Sequence, residues 1–443
     1  MKYQRMKKKF LGLIAVVFLL IGPFFFKYKG NVDYLHRKPR QNNVKRKSSL
    51  FAKIYSDEPG ATSRTQCGKA SHGCECAQTH DKEALEDRRF YILPQVGYRG
   101  GLPPGPFCKK HTHYSFSVSL LQTCPESIRS RSAEIDWFKQ TFIPDISLFM
   151  HKEHFNDEEW KRLEHFNPPY GWMGTNYTEV KQAVELLPGQ KEQKVLLSSK
   201  RNDGCIRCAA VGSGGILNGS RKGAEIDSHD YVFRVNGAVI KGFEDDVGVR
   251  TSFYVHTAQT MISALWSYHE LGFTDVPMDK EIKYILLTED MRDYQWLRAL
   301  MLNTEVSRGP YLEMRPRSYY GTDFTPEKYL VAHPDFNRYI KNRFLKSETV
   351  EGIDWAIYRP TTGAFALLLA LHLCDVVDAY GYITEDYAKY PNHYYDKTKT
   401  ETEFYDNHDF GLEINKWKKL HDAKLMNLYQ GRQRKKVLHP SSY

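Results

Sequence analysis

The stretch CIRCAAVGSGGILNGS, residues 205–220, carries the strongest indications of the fold. Two cysteines at C-x-x-C spacing lead into a short apolar segment, and a glycine-rich turn follows at once. An apolar run that ends in small residues is typical of a strand followed by a tight turn. The same residues are compatible with a zinc site, a redox pair, a dinucleotide-binding loop or a structural element. This stretch alone does not distinguish these four possibilities.

The glycine turn does not fit the dinucleotide fingerprint. A G-x-G-x-x-G pattern that starts at Gly212 meets Leu217 where the third glycine should stand. Zinc bound by Cys205 and Cys208 would need two more ligands, and the sequence offers no second C-x-x-C and no H-x-x-x-H. What remains is a strand that runs into a small-residue loop, where backbone N–H groups and the Ser213 side chain are expected to approach an anionic ligand.

Two further segments extend this pattern. DYVFRVNGA, residues 230–238, alternates apolar residues as a strand does and reaches an Asn-Gly pair. TTGAFALLLALHLC, residues 361–374, is an apolar run after a proline, and the β-type segment DVVDAYGYI follows it. These patterns predict an α/β sheet in which a buried helix and two strands bring Cys208 near Cys374. Asn236 is either a turn residue, the commoner use of Asn-Gly, or a ligand contact.

The positive charge of the chain is concentrated at its N-terminus. The net charge is +10, yet residues 1–50 hold thirteen Lys and Arg and one Asp, which leaves about −2 for the remaining 393 residues. This distribution removes the main support for nucleic-acid binding, so we expect no nucleic-acid partner. Residues 1–9 carry five cations, and residues 10–26 are seventeen uncharged, mostly apolar residues.

This arrangement predicts a transmembrane signal anchor at residues 10–26. Seventeen helical residues rise roughly 25 Å, which is the short end of the range for a membrane span. The positive-inside rule keeps residues 1–9 in the cytosol and places the chain beyond the anchor in the lumen. A cleaved signal peptide is the alternative, but Pro23 and the aromatic residues after it offer no small-x-small cleavage site.

Residues 27–120 are predicted to form a luminal stem, because they are polar, punctuated by Pro and Gly, and poor in periodic apolar residues. A small module stapled by Cys67, Cys74 and Cys76 is the alternative. Residues 121–443 are aromatic-rich and long enough for one catalytic domain. In an oxidising lumen the eight cysteines of the chain most simply form disulfides.

Four segments resemble, in order and spacing, the large, small, third and very-small sialylmotifs of the animal sialyltransferases. They are RCAAVGSGGILNGSRKGAEIDSHDYVFRVNGA, RPTTGAFALLLALHLCDVVDAYGYI, HYYD and HDFGLE. The segments KGFEDDVGVRTSFY and AHPDFNRYIKNRFLKS are most similar to those of the N-acetylgalactosamine (GalNAc) α2,6-sialyltransferases of O-glycan synthesis. The resemblance implies an α/β fold with a single Rossmann-like, mostly parallel sheet flanked by helices, a variant of the GT-A-type glycosyltransferase fold, preceded by a membrane anchor and a stem.

The resemblance also implies a reaction and a place in the cell. The reaction is the inverting, metal-independent transfer of sialic acid from CMP-sialic acid to O6 of GalNAc in O-linked, mucin-type glycoproteins, with no cofactor. The partners are then CMP-sialic acid, O-glycosylated glycoprotein acceptors and the Golgi membrane, in which the chain is a single-pass type II protein with a luminal catalytic domain. Galactose or sialic acid as the acceptor is the nearest alternative.

The resemblance assigns individual residues as well. It implies that Cys208 and Cys374 are bridged, which leaves Cys205 to pair elsewhere, with Cys124 as its candidate partner. By position in the motifs, the expected contacts with the donor nucleotide are Ser213, Asn236, Thr361, Thr362 and Gly363. The last three stand at the N-terminus of the predicted helix, where the partial positive charge suits a phosphate or a carboxylate. His393 of HYYD is the expected hydrogen-bond donor or cation for the leaving phosphate, with an ordinary surface histidine as the alternative.

His408 is the predicted general base. A helix is expected from apolar residues at helical spacing, namely Phe410, Ile414, Trp417 and Leu420. Asp406 or Asn407 is its predicted N-cap, so that His408 lies at or just before the first turn, where the positive helix end keeps imidazole neutral. A neutral imidazole accepts a proton from an attacking hydroxyl. Glu413 closes the H-x-x-x-x-E motif and either supports the site or stabilises the first turns of the helix; a capping or packing role is the alternative for His408.

Two other functions remain open at this stage. The pair Glu244-x-Asp246 has the character of an acidic metal site, as metal-dependent glycosyltransferases use, although a solvated turn is the commoner structure for such a cluster. A membrane-tethered lectin would share the anchor and the stem, but the two motif histidines argue against it.

Two sequons lie on the predicted luminal side. Asn176 precedes Tyr-Thr in a loop-like setting and is predicted to carry a glycan. Asn218 precedes Gly-Ser inside the donor motif, where a bulky glycan would obstruct folding or binding, so it is the weaker candidate and its glycosylation is left open.

Overall fold

A computed structural model of the protein describes residues 124–191, 195, 197–352, 355–400, 402 and 404–431. All of them belong to one unit, Pro106–Tyr443. The predicted cytoplasmic tail, the anchor at residues 10–26 and the stem at residues 27–120 lie outside the described residues. Within the described part, no helix is both long enough and apolar enough to cross a bilayer.

Eight strands of the described residues form one sheet in the order β1-β6-β5-β4-β3-β2-β7-β8. Their bounds are β1 Phe149–Met150, β2 Arg207–Val211, β3 Tyr231–Val235, β4 Phe253–His256, β5 Lys283–Leu286, β6 Tyr329–Ala332, β7 Val376–Tyr380 and β8 Asn427–Leu428. Neighbouring strands are parallel except β1 and β6, which pair antiparallel. The predicted α/β fold with a single, mostly parallel sheet is confirmed.

Helices cover both faces of the sheet. Their bounds are Ile128–Ser132, Asp136–Thr141, Asp157–Leu163, Tyr177–Val184, Gly223–Asp227, Glu244–Val247, Ala258–Ser267, Met291–Leu302, Pro334–Tyr339, Thr362–Leu373 and Phe410–Asp422, with a π-helical turn at Ile340–Phe344. Helix Thr362–Leu373 is apolar on every side and packs across β2, β3, β4 and β7. A helix without a polar face is stable only where protein covers it all round, so this helix forms the centre of one layer.

Strand β2 has the small, apolar residues that a central parallel strand requires. Cys208 and Ala210 point into the layer that contains helix Thr362–Leu373, whereas Ala209 and Val211 point into the opposite layer. β3 and β7 pair with the two edges of β2, and the two side-chain layers bury its faces from Cys208 to Val211. The sequence pattern therefore predicted both this strand and the buried helix that packs on it.

The disulfide implied by the resemblance is present, and so is the candidate pairing of Cys205 with Cys124. Cys208 bridges to Cys374, the residue that ends helix Thr362–Leu373, and Cys205 bridges to Cys124. The first bridge spans 166 residues, and by the chain-entropy argument a bridge of this span stabilises the fold by on the order of 5 kcal/mol. The two cysteines of the C-x-x-C pair therefore have different disulfide partners, and neither is a zinc ligand nor half of a redox pair.

Candidate functional site

A cavity of about 250 Å³ opens at the carboxyl ends of β2, β3 and β7. It is lined by the glycine turn after β2, by Asn236 after β3 and by Gly381 after β7. The chain leaves β2 toward β3 on one side and returns to β7 on the other, so the cavity lies where the strand order reverses. Ligands of open α/β sheets bind at this position.

The glycine turn after β2 packs directly on the end of β7. The backbone N–H of Gly212 donates to the carbonyl of Tyr380 at 2.8 Å, and that of Gly214 donates to the carbonyl of Gly381 at 2.9 Å. A Cβ on Gly214 would lie 2.6 Å from the Gly381 oxygen, so the close approach requires glycine. These two N–H groups therefore bind within the protein and are not the ones that could face an anion; the side chain of Ser213 lines the cavity.

Asn236 is both a turn residue and part of the cavity wall. Its φ of 47° places it in the left-handed region, which Asn tolerates better than most residues. Its carbonyl accepts the Tyr254 hydroxyl at 2.7 Å, and its side-chain oxygen is buried without a hydrogen-bond partner among the described residues. An unpaired buried acceptor costs about 1–3 kcal/mol, which a donor group on a bound ligand would offset.

His393 lies beside the glycine turn and lines the cavity. Its backbone forms an isolated antiparallel bridge with Gly214, and its ring stacks on Tyr395 with a centroid distance of 5.0 Å. Burial lowers the pKa of His393, while Asp396, whose carboxylate lies 3.5 Å from Nδ1, acts in the opposite direction. The net effect lowers the pKa of His393, and the imidazole lines the cavity.

The N-terminus of helix Thr362–Leu373 reaches the cavity through two of the three residues expected there. Thr361 and Gly363 line it, whereas Thr362 is not among the lining residues, since its neighbours occupy the cavity side of the first turn. Thr361 is the N-cap, and its hydroxyl oxygen accepts the N–H of Ala364 at 3.0 Å. The same hydroxyl donates to Glu413, so its proton is already bound within the protein.

Glu413 joins two helices. It lies in helix Phe410–Asp422, and its two carboxylate oxygens accept the N–H and the hydroxyl of Thr361, both at 2.9 Å. The side chain is buried, and burial raises its pKa to about 7, although the two bonds from Thr361 act in the opposite direction. Glu413 therefore supports the N-terminus of the neighbouring helix, and it also lines the cavity.

The predicted helix over the last motif is present at Phe410–Asp422, but its predicted N-cap is wrong. Asp409, not Asp406 or Asn407, caps the helix by accepting the N–H of Leu412 at 2.9 Å. The carbonyl of Asn407 instead accepts the backbone N–H of Arg359. This pairing between distant segments keeps residue 407 outside the helix, so the N-cap lies two residues or more after its predicted position.

His408 stands immediately before the N-cap, and Arg359 determines its protonation pattern. Nδ1 lies 2.7 Å from the Arg359 carbonyl oxygen. Because a carbonyl only accepts, Nδ1 carries the hydrogen, and in the neutral ring the lone pair is on Nε2. Burial lowers the pKa of His408; the bond to the Arg359 carbonyl raises it, and the positive charge of Arg359 lowers it. His408 itself is not among the cavity-lining residues, but Phe410, whose ring centroid is 5.8 Å from that of His408, is one of them.

The acidic pair Glu244-x-Asp246 binds backbone and lies away from the cavity lining. Asp246 accepts the N–H groups of Gly219 and Arg221, at 2.7 and 2.8 Å, and Glu244 accepts the N–H of Gly242. These carboxylates fix the loop after the glycine turn. Across the described residues, His, Cys, Asp and Glu side chains form no group of three that could hold a metal ion.

Sequence reasoning missed the aromatic wall of the cavity and the surroundings of Arg359. The wall includes Tyr268, Tyr382, Tyr387, Tyr390, Tyr395, Phe410 and Trp417. With 29 tyrosines in the chain, no sequence signal singles these out. Arg359 is the first residue of the second motif, so the sequence already indicated that it lies near the site. Only the fold shows that Glu289 is its ion-pair partner.

The chain is similar to known sialyltransferases. The family described as glycosyltransferase family 29 (sialyltransferase) matches residues 149–425. The chain is 54% identical over 318 residues to the alpha-N-acetylgalactosaminide alpha-2,6-sialyltransferase 1 of Gallus gallus, covering 71% of this chain and 56% of that protein. It is 44% identical over 294 residues to the alpha-N-acetylgalactosaminide alpha-2,6-sialyltransferase 2 of Homo sapiens, covering 66% of this chain and 79% of that protein.

A crystal structure of a mammalian sialyltransferase aligns with a TM-score of 0.49 at 25% identity, over 70% of this chain and 99% of that one. The match covers little more than half the length of the Gallus gallus relative. The range 149–425 contains the predicted donor-site residues and both motif histidines.

Proposed function

Because the chain belongs to glycosyltransferase family 29, the sialyltransferases, we propose that it transfers sialic acid from CMP-sialic acid to O6 of GalNAc in O-linked glycoproteins. The observation that carries the proposal is the 54% identity to a protein named as an α-N-acetylgalactosaminide α2,6-sialyltransferase, because that name states both the acceptor sugar and the linkage. The transfer inverts the anomeric carbon and uses no metal ion.

The cavity supports the assignment of the donor. CMP-sialic acid carries a phosphate and a carboxylate, and the N-terminus of helix Thr362–Leu373 offers partial positive charge to either group. The unpaired side-chain oxygen of Asn236 accepts a hydroxyl or amino hydrogen of the nucleotide, and Ser213 adds a hydroxyl on the same wall. The aromatic wall excludes water from the reacting carbon, which strengthens these contacts.

His393 stabilises the departing CMP. As the bond to the anomeric carbon breaks, negative charge develops on the phosphate oxygen, and a nearby cation or hydrogen-bond donor lowers the barrier. Burial lowers the pKa of His393 and so favours the neutral ring before the donor binds. A bound phosphate and Asp396 together favour the imidazolium form, so that His393 becomes positively charged when the donor is in place.

His408 acts as the general base. The hydrogen on Nδ1 is held by the Arg359 carbonyl, and Nε2 takes the proton of the attacking O6 hydroxyl. Burial lowers the pKa of the ring, so the neutral form predominates near pH 7. Glu413 keeps Thr361 and the helix N-terminus in position for the donor while His408 serves the acceptor.

Transfer of labelled sialic acid by the full-length, detergent-solubilised chain tests the proposal. The acceptors are glycopeptides that end in GalNAc, in galactose or in sialic acid, each followed by linkage analysis. We expect transfer to O6 of GalNAc, retained in the presence of a chelator. Exclusive transfer to galactose or to sialic acid would refute the acceptor assignment, and loss of activity with chelator would revive a metal-dependent mechanism.

We propose further that the chain is a type II protein of the Golgi membrane, anchored by residues 10–26 with the catalytic domain at residues 121–443 in the lumen. Cell fractionation and protease protection test this topology. The catalytic domain should resist protease in sealed vesicles and be digested once detergent is added; digestion in sealed vesicles would contradict it.

Asn176 is the proposed glycosylation site. It is exposed, and its side-chain oxygen caps helix Tyr177–Val184, which leaves the amide nitrogen for the glycan. At Asn218 the amide nitrogen donates to the Tyr394 carbonyl at 2.6 Å, so a glycan there would break a bond beside the cavity. Peptide mapping should find a glycan on Asn176 and none on Asn218; the reverse distribution would refute both assignments.

A further inference from the structure

Residue Arg359 holds the segment of the proposed base from two sides. Its carbonyl accepts the hydrogen of His408 Nδ1 at 2.7 Å, and its backbone N–H donates to the carbonyl of Asn407 at 2.9 Å. The direction in which Nε2 of His408 points therefore depends on where the backbone of residue 359 lies.

The side chain of Arg359 is itself anchored by a buried carboxylate. Nε lies 3.2 Å from Oε1 of Glu289, whose side chain is only 10% exposed. Glu289 follows strand β5 and also pairs with Arg292, from the first turn of helix Met291–Leu302, at 3.2 Å. The Arg359 side chain is 32% exposed, so the pair is half-buried, but Glu289 also binds Arg292, and a carboxylate held by two cations has a more restricted geometry than an isolated surface pair.

The residues on either side of Arg359 are held by other contacts. The hydroxyl of Tyr358 donates to the Leu345 carbonyl at 2.7 Å, and Thr361 is bound to Glu413. At residue 359 the side-chain contact is with Glu289, from a strand end remote from both motifs. The ion pair thus connects the carboxyl end of β5 to the histidine segment.

We propose that Glu289 and Arg359 are positioning residues that set the orientation of His408 for proton transfer from the acceptor. The inference rests on the proposed function, because it takes His408 to be the base. Neither residue is required to touch the donor. The ion pair fixes the Arg359 carbonyl, the carbonyl fixes the Nδ1 hydrogen, and Nε2 then points to one place.

The charges around His408 make the two positioning residues distinguishable. Arg359, from the second motif, faces the His408 ring. Asp406 and Asp409 flank His408 in its own segment. Asp409 is bound to the Leu412 N–H and the Ser347 hydroxyl. Glu289 lies behind Arg359, and Glu413 is bound to Thr361. Removal of the Arg359 charge makes protonation of His408 easier, whereas removal of the Glu289 charge leaves that cation in place.

The test is the pH dependence of kcat for transfer to a GalNAc glycopeptide by Arg359→Gln, Arg359→Lys and Glu289→Gln. Arg359→Gln and Glu289→Gln should each lower kcat on the order of tenfold, because a small misplacement of a base slows proton transfer. Arg359→Gln should also move the acid limb to higher pH, because the pKa of His408 rises. Glu289→Gln should not move it upward, and Arg359→Lys should keep the wild-type acid limb with a smaller loss of kcat.

Three measurements keep the inference separate from general damage and from the proposed function. The control variant is Arg308→Gln, which breaks another Arg–Glu ion pair, between Arg308 and the 13% exposed Glu179. It should leave kcat unchanged. CMP affinity and thermal unfolding should stay near wild type in all variants. An unchanged kcat and acid limb in Arg359→Gln would overturn the inference, as would equal upward shifts in both charge-removing variants. An inactive wild-type chain would refute the proposed function instead.

Discussion

Two groups of buried or half-buried histidines differ in what the protein does with their ring nitrogens. His393 and His408 belong to the last two motifs, whereas His151, His154 and His333 cluster at the antiparallel edge of the sheet, after β1 and β6. Burial lowers the pKa in both groups, to about 2 for His154 and about 4 for His333. A depressed pKa therefore does not identify the functional histidines.

The difference lies in the hydrogen bonds. In the edge cluster, Nδ1 of His154 accepts the backbone N–H of His151, and Nδ1 of His333 accepts the N–H of Asp335 as the N-cap of helix Pro334–Tyr339. The lone pair on Nδ1 is thus used to hold the backbone. His408 does the opposite, because its Nδ1 hydrogen is held by a carbonyl and the lone pair is on Nε2. In the edge cluster, His154 and His333 are thus arranged for stability, whereas His408 is arranged for accepting a proton; Nδ1 of His151 instead faces the carboxylate of Glu153.

The sharpest test of this contrast is His408→Ala. We expect turnover to fall on the order of 100-fold or more, as loss of a general base commonly causes. CMP affinity should change much less, because His408 is not a cavity-lining residue. Steady-state kinetics with a GalNAc glycopeptide and CMP binding measure the two effects. Near-normal turnover of the folded variant, or lost donor affinity, would move the base to His393.

The edge cluster should instead govern stability in acid. The pKa of His333 is about 4 when folded and about 6.5 when unfolded. Its contribution to stability is therefore fully present above pH 6.5 and is lost as the pH falls toward 4. Between pH 7 and 5 this one residue should cost about 2 kcal/mol of unfolding free energy.

His333→Asn isolates that contribution, because Asn is a good N-cap and does not titrate. Denaturant unfolding at pH 7 and pH 5 should give a smaller loss of stability in the variant than in the wild type. Turnover at pH 7 should be unchanged. An unaltered pH dependence of the unfolding free energy would contradict the division of roles between the two histidine groups. A loss of kcat without a loss of stability would contradict it as well.

His393→Gln should have an intermediate effect. We expect kcat/KM for the donor to fall about tenfold, which corresponds to the loss of a hydrogen bond to a charged group. Because the assignment to phosphate concerns the donor, CMP affinity should weaken in parallel, unlike in His408→Ala. The two variants can be compared by CMP titration; equal CMP affinity in both would contradict the separate roles.

The smallest effect is expected at the solvent side of the edge cluster. Glu153 pairs with Nδ1 of His151 at 2.8 Å but is 51% exposed. Glu153→Gln should change the unfolding free energy by about 0.5 kcal/mol, as is usual for an exposed pair. Unfolding at low and high salt measures it, and a loss of several kcal/mol would show that the cluster depends on this carboxylate.

Much of the fold could be predicted from local patterns. The apolar run in residues 361–374 is the buried helix, and β2 and β3 lie where short apolar segments end in glycine or Asn-Gly. These predictions succeeded because burial on both faces of a parallel sheet leaves a direct imprint on sequence. The predicted N-cap was wrong because a backbone partner came from elsewhere: Asn407 pairs with Arg359, and the cap is Asp409.

The sequence by itself determined strands β2, β3 and β7, the buried helix and the identities of the motif residues, because apolar periodicity and turn residues act over a few positions. Only the tertiary structure decided the chemistry of those residues. The hydrogen on His408 Nδ1 is fixed by a carbonyl 49 positions away, and Glu413 is held by a threonine 52 positions away. A side chain's protonation depends on which groups surround it in space, and residue spacing along the chain does not specify those groups.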